Sequence, residues 1–223
     1  MCYGFLCGGG TAATAVACKA TFRGFESHPP LNNMKKIYMI HGWGGNSEDS
    51  WFPWLREELE DRDLEIRVFN MPNTEHPVIE EWVKYLEANV KDVDENTYFI
   101  GHSIGCQTIM RFLEKLHKNK KIGGCIFVAP WFNLTNKTWG ENYTIEIAHP
   151  WLNTEIHFDR ILEHCNRFLA IFSSNDPYVP SSDKELFKEE LNAKIIVEKN
   201  RGHFEEDLEP AILKETLNFL RIK

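Results

Sequence analysis

The stretch Thr97-Tyr98-Phe99-Ile100-Gly101-His102-Ser103-Ile104-Gly105-Cys106 decides the fold. Thr97 to Ile100 are residues that favour a strand, and they run into Gly-x-Ser-x-Gly. Cys106 to Leu116 then repeats apolar residues at helical spacing through Ile109, Met110, Leu113 and Leu116. A serine on so tight a strand-to-helix turn needs small residues two before and two after it, here Gly101 and Gly105. The turn lifts the hydroxyl above the sheet, as a nucleophile elbow does, and aims a helix N-terminus at it, a place that favours negative charge. With Gly and Ser each near ~7% of residues, the bare pattern arises by chance in roughly one chain in ten of this length. Its position at a strand-to-helix junction is what makes it informative.

Working outward, Lys36 to Ile40 is a nearly continuous apolar run, as expected of a strand buried on both faces, and it ends in the loop His41-Gly42-Trp43-Gly44-Gly45. Ser50 to Leu59 has helical spacing with Trp51, Trp54, Leu55 and Leu59 on one face; Glu65 to Phe69 is a strand and Val78 to Val90 a helix. Beyond the central stretch, strands are expected at Cys125 to Ala129, Phe168 to Phe172 and Ile195 to Val197, and helices at Lys184 to Leu191 and Leu208 to Leu220. Trp131 to His157 lacks clean periodicity and is expected to be a short cap. The alternation predicts an α/β fold: a mostly parallel six-stranded sheet with helices on both faces. A dinucleotide-binding fold has the same rhythm, but the loop at His41 to Gly45 has neither the Gly-Lys-Ser/Thr of a phosphate loop nor Gly-x-Gly-x-x-Gly opening a helix.

Composition narrows the class. The chain has 223 residues, 43% of them hydrophobic, and a formal net charge of −8, which suits one globular core and argues against a nucleic-acid or anionic-membrane surface. No run approaches the ~20 apolar residues of a membrane span. The six cysteines show neither a disulfide framework nor metal-ligand spacing, so buried reduced thiols, no metal, no cofactor and a cytoplasmic location are expected. Residues 1–33 are rich in Gly, Ala, Thr and Cys without periodicity, and their first positive charge, Lys19, comes too late for a signal peptide. They are expected to be a disordered extension, with residues 34–223 forming a single domain. Asn133, Asn136 and Asn142 fit a glycosylation acceptor, which carries little meaning without a secretory signal.

A serine nucleophile needs a base, and the base an acid that orients it, in the chain order Ser, Asp, His for a sheet of this kind. Asp176 follows the fifth expected strand in Ser173-Ser174-Asn175-Asp176-Pro177, and His203 follows the sixth in Arg201-Gly202-His203-Phe204. Asp183, the rival acid, sits where a helix begins and is better explained by capping or the helix dipole. Of the other histidines, His28, His76, His117, His149, His157 and His164 fall in loops or exposed-looking helices. The candidate catalytic residues are therefore Ser103, Asp176 and His203. Backbone N–H groups of Ile104 and Trp43 are the candidate oxyanion hole. His41 and Gly42, with Trp131 and Trp139 in the cap, are the candidate substrate-binding residues. Cys106 reads as a buried structural thiol.

Together, His41-Gly42-Trp43, the Trp51-Phe52-Pro53-Trp54-Leu55 block, Asn70-Met71-Pro72-Asn73, Gly101 to Gly105, Asp176-x-x-Val179-Pro180 and Gly202-His203-Phe204 resemble the small serine hydrolases of the YdeN and retinoblastoma-binding-protein-9 type. The resemblance covers Met34 to the C-terminus. It implies a minimal α/β-hydrolase fold with Ser103, Asp176 and His203 as triad, and carboxylesterase-like activity on small ester-like substrates. The Leu-x-Cys-x-Glu motif of the mammalian relatives is missing, so their partner does not carry over. Two other readings stay open: an interaction protein on a hydrolase scaffold, and an acyltransferase or peptidase using the same triad. The short cap suggests an open, shallow site suited to small acyl groups.

Overall fold

A computed structural model describes residues 34–138 and 142–222. The extension expected over residues 1–33, and Trp139 in the cap, lie outside the described residues. In chain order the elements are β1 (Lys36–Ile40), α1 (Phe52–Glu60), β2 (Glu65–Phe69), α2 (Ile79–Asn89), β3 (Thr97–His102), α3 (Ile104–Leu113), β4 (Gly124–Val128), a 3₁₀ turn (Asn136–Thr138), α4 (Asn142–Asn153), α5 (Phe158–His164), β5 (Phe168–Ser173), α6 (Asp183–Leu191), β6 (Lys194–Glu198) and α7 (Pro210–Leu220).

The six strands form one sheet in the order β2-β1-β3-β4-β5-β6, with every pairing parallel. Side chains alternate between two cores. Tyr38 and Ile40, Phe99, Phe127, and Ala170 and Phe172 face one, shared with Trp82, Phe112 and Phe187 from α2, α3 and α6. Ile37 and Met39, Ile100, Ile126 and Val128, and Leu169 and Ile171 face the other, closed by Phe52 and Leu55 of α1 and Ile212 of α7. Both faces being covered explains why β3 and β4 are buried along their whole length, whereas the edge strands β2 and β6 expose every few residues.

The strand order also fixes where a site belongs. From β1 the chain moves outward to β2, returns to β3 on the other side of β1, and then progresses steadily away. The loops after β1 and β3 therefore part in opposite directions, leaving a crevice outside their C-terminal ends, the usual ligand position of an open α/β sheet. Ser103 stands at that point, directly after β3.

The cap differs from the sequence expectation. Its Asn, Thr, Trp and Pro content gives no helical pattern, yet α4 runs for 12 residues with Pro150 inside it, and α5 follows. Tertiary contacts outweigh the weak local preference. Ala148 and Trp151 are buried, and the Trp151 indole donates to the Pro77 carbonyl at 2.9 Å. Arg111 of α3 donates to the carbonyls of Trp151, Thr154 and Glu155 at 3.2, 2.8 and 3.3 Å, satisfying groups at the C-terminal end of α4 that would otherwise be orphaned. His164 departs from its expected exposure too: it is buried, with Nδ1 2.8 Å from the Lys120 carbonyl.

Candidate active site

Ser103 has φ 52° and ψ −122°, a conformation that costs a residue with a Cβ free energy and persists only where its surroundings enforce it. Here they do. A Cβ on Gly105 would stand 2.5 Å from the Ile40 carbonyl oxygen and 2.6 Å from that of His41, and one on Gly101 would stand 2.7 Å from Ile109 Cδ1 and 2.8 Å from the Cys106 nitrogen. The two glycines thus let α3 pack directly against the ends of β1 and β3. The Ser103 N–H donates to the Val128 carbonyl at 2.9 Å, tying the turn to β4. Gly42 closes the other side, where a Cβ would meet His102 Nδ1 at 3.1 Å and Ser103 Cβ at 3.4 Å.

On the far side of the crevice, His203 Nδ1 lies 2.8 Å from Asp176 Oδ2, both side chains being buried. A carboxylate there accepts the Nδ1 proton, which leaves Nε2 with its lone pair free. The other oxygen, Asp176 Oδ1, accepts the N–H groups of Tyr178 at 2.9 Å and Val179 at 3.0 Å, so the carboxylate cannot rotate away. The residues before Asp176 grip the residues before His203 in the same way. Ser173 Oγ accepts from the Arg201 N–H at 2.9 Å, Ser174 Oγ from Asn200 at 3.1 Å, and Asn175 Oδ1 from Gly202 at 2.9 Å. Four consecutive side chains, from the last residue of β5 onward, thus hold four consecutive residues after β6.

Two buried histidines at the cleft brace the site. His102 Nε2 donates to the His203 carbonyl at 2.8 Å, linking the serine turn to the His203 loop. Its ring is packed between Trp51, Phe52 and His203, and burial, with the neighbouring His203, pushes its pKa down to about 3. It is therefore a neutral donor at ordinary pH. His41 Nε2 accepts the Met71 N–H at 3.0 Å while Nδ1 lies 2.8 Å from the Gly42 carbonyl, and burial lowers its pKa as well. It braces the loop after β1.

Asp183 is far more than a helix-start residue. It is fully buried, and its carboxylate accepts the N–H groups of Phe132 and Asn133 at 2.6 and 2.8 Å and the Asn133 side-chain amide at 2.8 Å. Burial raises its pKa against these bonds. It anchors the start of the cap and makes no contact with His203.

Ser103, Ile104, His203, His41, Gly42, Trp43 and Trp131 line one cleft of about 730 Å³. Asp176 lies behind His203, out of the cleft. The Trp43 indole N–H donates to the Glu75 carbonyl at 2.9 Å, so the side chain is tied to the loop after β2. Trp131 is buried, and its indole N–H donates to Ser103 Oγ at 3.3 Å. Sequence reasoning missed three contributors: His102 as a brace of the His203 loop, the hydrogen-bonding run Ser173 to Asn175, and Tyr178, whose ring stands edge-on to His203 at 5.1 Å. Only the small polar residues before Asp176 offered a signal. Among the described residues, no helix is long and apolar enough to cross a membrane.

An all-parallel sheet with a strained serine turn at the switch point of its strand order defines an α/β hydrolase. Residues 37–218 match the model of the family described as serine hydrolase, and the chain belongs to that family. YdeN of Bacillus subtilis, described as a hydrolase, is 31% identical over 173 residues, spanning 78% of this chain and 87% of YdeN. The serine hydrolase RBBP9 of Rattus norvegicus is 26% identical over 173 residues, spanning 76% of this chain and 87% of that one. The crystal structure of the B. subtilis ydeN gene product superposes with a TM-score of 0.75 at 27% identity, covering 84% of this chain and 100% of the other. Est1E of Butyrivibrio proteoclasticus, solved with ferulic acid bound, shares the fold at 16% identity and a TM-score of 0.66, covering 86% of this chain and 91% of Est1E.

Proposed function

We propose that this serine hydrolase cleaves small carboxylic esters through a Ser103-Asp176-His203 triad and an acyl-enzyme intermediate. The observation that carries the reading is the 2.8 Å bond between His203 Nδ1 and a doubly anchored Asp176, which leaves Nε2 basic in the cleft that Ser103 also lines. In the reaction Nε2 takes the Ser103 proton as Oγ attacks the ester carbonyl, then returns it to the departing alcohol. The N–H groups of Ile104 and Trp43 hold the oxyanion, with the N-terminus of α3 adding a favourable field. Water, activated by the same nitrogen, then releases the acid. No step draws on a metal or an organic cofactor. The glycines of the first loop give the backbone room to approach the substrate, and Trp131 walls the acyl pocket. The bound ferulic acid in Est1E, an aromatic carboxylic acid on the same fold, is in keeping with an acyl ligand.

The test is labelling with a fluorophosphonate probe and turnover of p-nitrophenyl acetate and butyrate, wild type against Ser103→Ala. Labelling and turnover that both vanish in the variant are the expected result. A wild type that labels on Ser103 yet turns over neither ester removes the small-ester assignment, and one that does neither removes the triad.

A further inference from the structure

We propose that Trp131 is a catalytic residue of the acyl-enzyme pathway, its indole N–H stabilising Ser103 Oγ as that oxygen leaves the acyl group during deacylation. The inference rests on the triad reading above. It starts from one face of α3. Ser103, Gln107 and Arg111 follow at intervals of four residues, so they stack along the helix. Arg111 Nη2 donates to Gln107 Oε1 at 3.2 Å, Gln107 Nε2 donates to the Trp131 carbonyl at 3.1 Å, and Trp131 Nε1 donates to Ser103 Oγ at 3.3 Å. Gln107, Arg111 and Trp131 are all buried, at 1, 3 and 2% exposure. Their polar groups therefore need partners inside the protein. The partner found by the indole is the reacting oxygen itself, and the chain of bonds behind it holds the ring there.

A donor on Oγ does not serve both half-reactions equally. During acylation Oγ supplies the electron pair that forms the bond to the carbonyl carbon, and an N–H on that oxygen competes for its lone pairs. During deacylation the roles reverse. Water adds to the acyl carbon while His203 Nε2 takes its proton. The C–Oγ bond then breaks with its electron pair passing to Oγ, which recovers a proton from Nε2, and the carboxylic acid departs. In the tetrahedral intermediate Oγ carries two lone pairs. One receives the proton from His203, and the other accepts the Trp131 N–H as negative charge gathers on the oxygen. The interaction is stronger in that transition state than in the acyl-enzyme, which is the condition for catalysis.

The experiment is stopped-flow hydrolysis of p-nitrophenyl acetate by wild type and Trp131→Phe, resolving the burst (acylation) and the steady phase (deacylation). The deacylation rate constant should fall about tenfold while the acylation constant changes less than twofold, so that kcat and KM fall together and kcat/KM holds. An unchanged deacylation rate overturns the proposal, and so does an equal loss in both steps. If the phenylalanine variant does not fold, 3-benzothienylalanine at position 131 removes the N–H and keeps the ring. Gln107→Met, which frees the Trp131 carbonyl, should lower deacylation about threefold with acylation unmoved; a purely structural role would lower both steps or neither. Wild-type turnover that survives unchanged in Ser103→Ala overturns the triad reading and this proposal with it. A normal burst with an insensitive Trp131→Phe overturns this proposal alone.

Discussion

The two sides of the crevice are held in place by different physics. The serine side is built from backbone and shape. Ser103 sits in its strained conformation because Gly101 and Gly105 admit main-chain contacts that any side chain would block. The Asp176–His203 side is built from polar side chains, four of them from the end of β5 onward gripping four residues after β6. Steric placement is all or nothing, since a clash with backbone has nowhere to relax. Hydrogen-bonded placement is graded, since each bond contributes about 0.5–1.5 kcal/mol and the others remain when one is lost. The His102 ring ties the two sides directly, its Nε2–H reaching the His203 carbonyl.

The largest effect is expected where a single bond on the graded side carries chemistry as well as position. In Asp176→Asn the side-chain oxygen can still accept from Tyr178 and Val179, but an amide NH₂ then faces Nδ1 and forces the proton onto Nε2. Turnover should fall roughly 10⁴-fold through the wrong tautomer, while the unfolding midpoint in urea barely moves. Steady-state hydrolysis and denaturation on the same sample check both halves. A loss below tenfold would mean that Asp176 does not orient the base.

On the steric side the corresponding break is Gly105→Ala. A methyl group placed 2.5 Å from the Ile40 carbonyl oxygen has no flexible neighbour to displace, so α3 and β1 must separate. A cost of roughly 3 kcal/mol or more is expected, at the upper end of what overpacking produces, with soluble yield falling alongside activity. Urea unfolding measures it. A variant within 1 kcal/mol of wild type would show that the turn is more yielding than its contacts imply.

The same contrast explains what was legible in the sequence. The strands and the helices of the sheet layers announce themselves by period, because burial on two faces or one dictates apolar spacing. The serine turn is legible because steric demand leaves glycine as a local signature at 101 and 105. Polar placement leaves a weaker mark: Ser173 to Asn175 are small polar residues that a turn explains equally well, and His102 reads as the variable position of Gly-x-Ser-x-Gly. Asp183, read as a helix-start residue, spends its carboxylate on the cap instead. α4 was invisible for a related reason, since its helix depends on Trp151 and the Arg111 guanidinium, contacts made across the fold by a segment of weak local preference.

The smallest effect should come from Gly202→Ala, where the two kinds of placement meet. Gly202 precedes the base and has φ +55°, but a Cβ there would meet nothing within 4 Å. No clash is available, so only the left-handed backbone costs anything, about 1 kcal/mol for a residue with a side chain. The loop has reasons to keep its shape at that cost. The position 202 N–H still reaches Asn175 Oδ1, Phe204 holds a left-handed φ of 57° of its own, and its carbonyl accepts the Trp51 indole at 3.0 Å. Stability in urea should therefore drop by about 1 kcal/mol with turnover kept within about threefold. Were turnover to fall a hundredfold at that modest stability loss, the base loop would have moved despite its bonds, and the four-rung grip between the loops would not be what positions His203.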